Sequence, residues 1–160
     1  MVDRLLAEGH RVRVIDNCTT GRMENLDHQK NNPDLTIYNA DIRDKASIEP
    51  IFKDVDYIFH FAALADIVPS IQSPGEYYSS NVLGTYNVVE CARNGNIKKL
   101  VYAASSSCYG IPEEYPTKET AEIRPQYPYA LTKRLSLPPI FNMRKDFFNP
   151  FFKRYLCLPA

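Results

Sequence analysis

The chain has few of the features that mark nucleic-acid-binding, metal-binding or membrane proteins. Its 19 basic and 19 acidic residues balance, so no positive excess favours nucleic acid as a partner. Its four cysteines lie far apart, without a CxxC pair or a histidine at metal-ligand spacing, so we expect reduced thiols and no metal site. No apolar run reaches the roughly 18 residues that span a membrane, and residues 1–4 do not begin a signal peptide. We therefore expect a soluble, cytoplasmic protein that binds neither membranes nor nucleic acid.

Apolar segments alternate with helical patterns along residues 1–133. Short apolar runs predict four β-strands, at 11–15, 35–38, 57–63 and 100–104. The run at 57–63 is apolar without alternation, which is typical of a strand buried on both faces of a parallel sheet. Helices are predicted between the strands, among them one at roughly 45–52, and Ser73 to Glu76 has the pattern of a capping box with proline at the first helical position. This alternation predicts an α/β fold of the Rossmann type, with a doubly wound parallel sheet.

Two features depart from a complete domain of this class. A doubly wound sheet opens with a strand and a glycine-rich turn, whereas this chain begins inside the first helix and its six glycines form no such turn. Pro138 and Pro139 break the last predicted helix, and five of the eight phenylalanines follow them. We therefore expect a partial Rossmann domain at 1–133 and an atypical tail at 134–160, the product of a frame change or gene truncation. An amphipathic docking segment is the alternative for the tail.

The candidate catalytic residues are Tyr129 and Lys133, which follow the hydroxyl run Ser105-Ser106-Ser107. Four residues apart on a helix, a phenol and an ammonium share one face. A free tyrosine has a pKa of about 10 and is a poor base at neutral pH, but a nearby cation favours its phenolate. A serine beside the phenol would orient a substrate hydroxyl for proton removal. The order of strand, serines and YxxxK predicts an alcohol-oxidising site beside a hydride acceptor, and the alternative is a solvated helix face.

Other candidates follow the predicted strands. Asp16 ends the first strand, where a carboxylate can accept both hydroxyls of an adenosine ribose, which favours NAD over NADP; a helix cap or turn cap is the alternative. Asp41 and Ile42 could flank an adenine after the second strand, although an aspartate there is often turn chemistry. The small residues after Phe61 would let a cofactor approach the backbone, and core packing is the alternative.

Two polar groups lie within predicted apolar elements. Asn81 and Thr85 are one turn apart on a largely apolar helix, so they are either part of the cofactor site or a satisfied buried pair. We interpret His60 as a core histidine and assign it no role.

Several segments together resemble one family. They are VRVIDN (12–17), DIRD (41–44), HFAAL (60–64), NVLGT (81–85), VYAASSSCYG (101–110) and YPYALTK (127–133). This order resembles the extended short-chain dehydrogenase/reductases, in particular the NAD-dependent nucleotide-sugar epimerases and dehydratases similar to UDP-glucose 4-epimerase. The resemblance covers about residues 1–133.

The resemblance implies a role for each matching residue. Tyr129 would be the base, Lys133 would hold the nicotinamide ribose, and Ser105 would be the catalytic hydroxyl, with Ser106 and Ser107 as substitutes. The implied NAD-binding residues are Asp16, Asn17, Asp41, Ile42, Phe61, Ala62, Ala63, Asn81, Tyr129 and Lys133.

The resemblance favours 4-epimerisation of a nucleotide-sugar, a UDP-hexose, through a transient 4-keto intermediate. Dehydratases of the family follow the catalytic hydroxyl with an Asp-Glu pair, whereas this chain has Ser106 and Ser107. Many epimerases have a lysine where this chain has Ala65, which leaves the sugar open. The alternatives are a 4,6-dehydratase or reductase of the same superfamily and a non-catalytic Rossmann remnant.

The resemblance also locates what the sequence lacks. The missing strand would lie between the strands at 11–15 and 57–61, so its absence should expose two sheet edges. Without the glycine-rich turn and the substrate domain, we expect weak NAD binding and little turnover from this chain. Full-length relatives are expected to form homodimers through helices near 76–94 and 127–140.

Overall fold

Four parallel strands form two separate pairs in the computed structural model, which describes residues 1–95 and 97–137. Strand β1 (Val12–Asp16) pairs with β2 (Leu35–Asn39), with Val12 opposite Leu35. Strand β3 (Tyr57–His60) pairs with β4 (Lys99–Tyr102), with Tyr57 opposite Lys99. Within the described residues no strand joins β1 to β3, as expected if a central strand is absent.

Helices connect these strands in the predicted order. The α-helices are α1 (Val2–Ala7), α2 (Lys45–Ile48), α3 (Ile67–Gln72), α4 (Pro74–Tyr77), α5 (Gly84–Asn94) and α6 (Pro128–Leu135). Three 3₁₀ segments lie at Met23–Gln29, Glu49–Phe52 and Ser106–Tyr109, and a π-helical turn at Tyr78–Leu83 joins α4 to α5. The predicted helix at 45–52 divides in two because Pro50 cannot donate an amide hydrogen bond within an α-helix.

One apolar core lies beneath both strand pairs. Its buried members are Ile42, Ile48, Ile51, Phe52, Val88 and Cys91. Ile15 and Tyr38 from the first pair pack on this cluster, as do Ile58 and Leu100 from the second. Burying one such isoleucine or phenylalanine contributes roughly 1.5–3 kcal/mol. Both strand pairs therefore pack on the same core, although no described strand joins them by hydrogen bonds.

The prediction that the third strand is buried on both faces is wrong for the described residues. Tyr57 and Phe59 are 58% and 40% exposed, whereas His60 is buried. The core helices cover the face that carries Ile58 and His60, and no described element covers the opposite face to the same extent. Alternate side chains of β3 therefore differ in environment.

The predicted capping box at Ser73 is also wrong. Pro74 does begin helix α4, but the Ser73 side chain makes no capping hydrogen bond. The Glu76 carboxylate instead accepts a hydrogen bond from Arg43 at 2.9 Å. A capping box needs both side chains turned back to the helix start, so the Arg43 contact replaces it.

Two further predictions concern membrane-spanning helices and the C-terminal tail. No described helix is long and apolar enough to cross a membrane. Pro138, Pro139 and the phenylalanines after them lie outside the described residues, and so does most of the predicted tail.

Candidate active site

The phenol of Tyr129 meets the hydroxyl of Ser105 where β4 ends. Pro128 begins α6 and the extended backbone of Tyr127 precedes it, so Tyr129 lies in the first turn of the helix. Ser105 caps the 3₁₀ turn after β4, where its Oγ accepts a hydrogen bond from the Ser107 amide at 3.2 Å. The Tyr129 hydroxyl donates to the Ser105 Oγ at 3.4 Å. This contact is long for an O–H···O hydrogen bond, but it brings the two predicted groups to one point.

Lys133 lies one helical turn after Tyr129 and is 3% exposed. Its Nζ donates a hydrogen bond to the carbonyl oxygen of Ala103 at 2.6 Å. The same Nζ lies 4.2 Å from the centroid of the Tyr102 ring. Burial lowers the pKa of Lys133 to about 8, and the nearby Cys108 thiol opposes this shift. The structure therefore brings Ser105, Tyr129 and Lys133 together at the end of β4.

Two aromatic rings hold the Tyr129 ring. Tyr127 stacks on it with a centroid separation of 6.4 Å and an interplanar angle of 13°. Tyr77, which is buried, meets it edge-on at 6.5 Å and 77°. Aromatic pairs in these geometries add about 0.5–1.5 kcal/mol beyond burial. The ring is thus fixed on two sides.

A second group of predicted residues lies where β1 and β2 end. The Asn17 Nδ2 donates to the Asp41 carboxylate at 2.9 Å, which ties the two strand ends together. Arg43 donates further hydrogen bonds to Asp41 and holds the pKa of that carboxyl at about 2. Arg43 also reaches Glu76, so it connects this turn to α4. The Asp41 carboxylate is therefore ionised but already bonded on several sides.

The Asp16 carboxylate caps its own turn. Its Oδ1 accepts a hydrogen bond from the Cys18 amide at 2.7 Å, which is the turn-cap alternative. The other oxygen lies against Gly21, where a Cβ would come within 2.7 Å of it. Gly21 therefore keeps open the space above the carboxylate, and a turn cap does not use up both oxygens.

Ile42 belongs to the core by its side chain. It is 9% exposed, and a Cβ on Gly84 would lie 2.6 Å from its Cδ1. Its carbonyl oxygen accepts a hydrogen bond from Asn87. A contact between Ile42 and an adenine must therefore come from the backbone.

The residues that follow β3 are open to solvent. Phe61 is 53% exposed, Ala62 is exposed and Ala63 is half-buried. Their predicted contact with a cofactor stays a prediction, and their exposure leaves room for one.

Asn81 makes its hydrogen bonds to protein groups. Its side chain is 1% exposed, accepts from the Leu64 amide at 2.8 Å, and donates to the Leu64 carbonyl and the Thr132 hydroxyl, both at 3.0 Å. The Ser136 hydroxyl donates to the Asn81 carbonyl at 2.8 Å. This geometry matches the alternative of a satisfied buried polar group, and Asn81 connects the segment after β3 to α6.

Thr85 and His60 form a separate buried contact. The Thr85 hydroxyl lies 2.8 Å from the His60 Nε2. Burial, with the Lys133 charge as a second cause, lowers the pKa of His60 to about 3, so this ring is neutral at physiological pH. The interpretation of His60 as a core histidine is confirmed.

Sequence reasoning missed Tyr102, Tyr77 and Arg43, which contact the predicted site residues. Tyr102 and Tyr77 have no motif of their own, since an aromatic residue in a strand or helix predicts only burial. For Arg43, the one available signal was its position two residues after Asp41 in a turn.

Comparison with known proteins places these residues in context. The sequence profile of the family described as GDP-mannose 4,6 dehydratase matches residues 1–150. The UDP-glucose 4-epimerase of Mycolicibacterium smegmatis is 38% identical over 136 residues, which cover 83% of this chain and 43% of that protein. The chain thus spans less than half the length of this relative.

Two solved structures are similar to the fold. The UDP-glucose 4-epimerase of Thermus thermophilus in complex with NAD has a TM-score of 0.81 and 31% identity, over 91% of this chain and 47% of the other. A dTDP-glucose 4,6-dehydratase of Streptomyces venezuelae with NAD bound has a TM-score of 0.85 and 27% identity, over 91% and 48%. These likenesses confirm the predicted Rossmann-type α/β class.

Proposed function

This chain belongs to the GDP-mannose 4,6 dehydratase family, and on that premise we propose that it carries the NAD-binding and catalytic part of a nucleotide-sugar 4-epimerase. The family assignment confirms the resemblance to the epimerase and dehydratase group. Because the chain spans less than half of its relatives, the activity is proposed for the site that these residues build. UDP-hexoses are the proposed substrates, by analogy with the UDP-glucose 4-epimerases.

The single observation that carries the proposal is the contact between the Tyr129 and Ser105 hydroxyls, one helical turn before the buried Lys133. A phenol beside a serine hydroxyl can accept the proton of a substrate alcohol held at the same point. We propose that the positive charge of the buried Lys133, one helical turn away, favours the phenolate that this requires. No other group of described residues combines a base, a hydroxyl donor and a cation in this way.

The residues at the ends of β1 and β2 fit NAD. The cradle that Gly21 leaves above the Asp16 carboxylate suits the two hydroxyls of an adenosine ribose. Asn17 and the Asp41 turn flank the same point, and Phe61 with Ala62 provides an exposed backbone at the end of β3. When bound, NAD would supply the acceptor and donor of the C4 hydride.

The role of this chain's own residues is then to move one proton and to orient the sugar. Tyr129 takes the proton of the 4-hydroxyl as the sugar is oxidised and returns it after the opposite face is reduced. Ser105 donates a hydrogen bond to the same oxygen in both directions. Lys133 would supply the positive charge that favours a phenolate, and it would bind the nicotinamide ribose.

We favour epimerisation over elimination of water. Elimination needs a further acid and base beside the sugar, and the residues after Ser105 are Ser106 and Ser107, whose hydroxyls have a much higher pKa than a carboxyl group. A dehydratase stays the rival, since dehydratases of the same fold are similar in structure. A non-catalytic remnant is the second rival.

A chimaeric enzyme tests the three readings. Residues 1–137 would replace the matching segment of the Thermus thermophilus epimerase, which supplies the remaining strand and substrate domain. We expect UDP-galactose to be converted into UDP-glucose, as the unaltered host enzyme does. A 4-keto-6-deoxy sugar as product would support the dehydratase, and a folded, NAD-bound chimaera without turnover would support the remnant.

The predicted homodimer is also a proposal. It is supported by large apolar side chains that are exposed on these helices. Tyr78 in the π-helical turn is 47% exposed, Tyr86 in α5 is 49% exposed and Leu131 in α6 is 48% exposed. Sedimentation velocity of the chain with Tyr86→Glu as the disrupting variant would report it.

A further inference from the structure

The ammonium of Lys133 is buried without a carboxylate partner among residues 1–95 and 97–137. It is 3% exposed, and its one described hydrogen bond goes to the Ala103 carbonyl. An ammonium carries three donors, and loss of water disfavours its charged form. The proposed function needs that charge, so some other group must stabilise it.

The face of the Tyr102 ring is such a group. The Lys133 Nζ lies 4.2 Å from the ring centroid, well inside the distance of about 6 Å at which an aromatic face attracts a cation. The ring is fixed from below by His60, which pairs with Tyr102 in the β3–β4 register at a centroid separation of 5.4 Å. His60 is itself held by Thr85. The ring therefore has a defined position beneath the ammonium.

The other titratable groups described around Lys133 do not offset the burial of its ammonium. His60 is neutral at physiological pH because burial lowers its pKa to about 3. The Cys108 thiol favours the ammonium but is secondary to burial. Tyr129, on the same helix, is the group that Lys133 is proposed to act on.

The hydroxyl of Tyr102 does not explain why the ring lies there. No described residue forms a hydrogen bond with its Oη, although the hydroxyl is buried. Burial raises the pKa of Tyr102, with a smaller opposing effect of the Ser136 hydroxyl, so this phenol is neutral as well. What the ring offers Lys133 is its face.

We propose that Tyr102 is a positioning residue whose aromatic face holds Lys133 as a cation and thereby supports Tyr129 as the proton acceptor. The proposal deepens the proposed function and rests on it, because the charge of Lys133 matters only if Tyr129 acts as a base.

The test measures the protonation of Lys133 directly in the 160-residue chain without cofactor. ¹³C-labelled lysine side chains are titrated by NMR, and Lys133→Arg identifies the resonance. We expect Tyr102→Leu to lower the pKa of Lys133 by about one unit, because an attractive cation–π contact is lost. Tyr102→Phe should leave this pKa unchanged. A Tyr102→Leu value equal to that of the parent chain, or an equal fall in Tyr102→Phe, would overturn the proposal.

Two controls separate the ring's charge distribution from its volume. Tyr127→Leu removes a ring that stacks on Tyr129, and no shift of the Lys133 pKa is expected. Phenylalanines with increasing fluorination at position 102 keep the ring's shape while weakening its attraction for a cation, so they apply even if Tyr102→Leu does not fold. A stepwise fall of the Lys133 pKa is expected, and a constant pKa overturns the proposal.

The measurement is independent of the proposed function. It involves neither NAD nor a sugar, so an inactive chimaera would leave a shifted Lys133 pKa standing. Conversely, if the chimaera is active but the pKa of Lys133 is unshifted in Tyr102→Leu, only the proposed role of Tyr102 is refuted.

Discussion

Side chains at the end of β4 differ sharply in what they can contribute, although three serines follow one another there. Ser105 lies within 3.4 Å of the Tyr129 hydroxyl and caps the turn through the Ser107 amide. Ser106 is exposed, and Ser107 donates its amide to Ser105. The geometry therefore favours Ser105 as the catalytic hydroxyl.

Ser105→Ala in the chimaera should lower kcat by about 10–100-fold, because one oriented hydrogen-bond donor is lost from the reacting oxygen. The matched variant Ser106→Ala should stay within about twofold of the parent, as its side chain is exposed. Initial rates of UDP-glucose formation would measure both. A larger loss of kcat in Ser106→Ala than in Ser105→Ala would show that Ser106, and not Ser105, is the catalytic hydroxyl.

The meeting of Ser105, Tyr129 and Lys133 could be predicted well from the sequence. The YxxxK pair and the serines carry their spacing in the sequence, so their meeting point could be inferred. The contacts of Asn81 with Leu64 and Thr132 could not, since they join residues 17 and 51 positions apart. Such contacts depend on how helices pack, which local periodicity does not report.

At the level of elements, the π-helical turn and α6 are held to the segment after β3 by one amide. Asn81 satisfies both backbone groups of Leu64 and also bonds Thr132, and Ser136 bonds the backbone of Asn81. The segment after β3 carries the predicted cofactor contacts, and α6 carries Tyr129 and Lys133. Asn81 thus connects the segment with the predicted cofactor contacts to the helix that carries the candidate catalytic residues.

Asn81→Ala should destabilise the chain by about 2–4 kcal/mol, since it removes the side-chain partner of the Leu64 amide and carbonyl and one of the two hydrogen bonds of the buried Thr132 hydroxyl. Asn87→Ala is the matched control on the next turns of the helix, because Asn87 is half-buried and bonds two carbonyls. We expect about 1 kcal/mol for that control. Urea unfolding followed by circular dichroism would measure the difference, and equal losses would contradict the role of Asn81.

Three of the four strands were predicted to within one or two residues at each end, whereas β3 ends at His60 and not at residue 63 as predicted. The helix at 45–52 changed type at Pro50, and the exposure of Tyr57 and Phe59 was missed. An apolar run predicts a buried strand, but it does not show whether neighbouring elements cover one face of that strand or both.

For the molecule as a whole, two strand pairs share a core but no strand joins them within the described residues. The sequence also contains no glycine-rich turn, which in this fold class places backbone amides and a helix N-terminus against the pyrophosphate. We therefore propose that the described residues provide contacts for the adenosine ribose and the nicotinamide end of NAD, but no glycine-rich cradle for its pyrophosphate.

The 160-residue chain alone should therefore bind NAD with a Kd weaker than about 1 mM, and the chimaera at least about tenfold more tightly. Equilibrium dialysis at matched ionic strength would measure both constants, with Asp16→Ala in the chimaera as the control for binding at the ribose site. A micromolar Kd for the chain alone would contradict this account of the sheet.

The rate of UDP-glucose formation by Tyr129→Phe in the chimaera tests whether Tyr129 is the proton acceptor. Removal of the phenolic oxygen should lower kcat by about 10³-fold while the Kd for NAD changes by less than about threefold, because the ring contacts remain. A variant that keeps more than a tenth of the parental kcat would show that another group takes the proton.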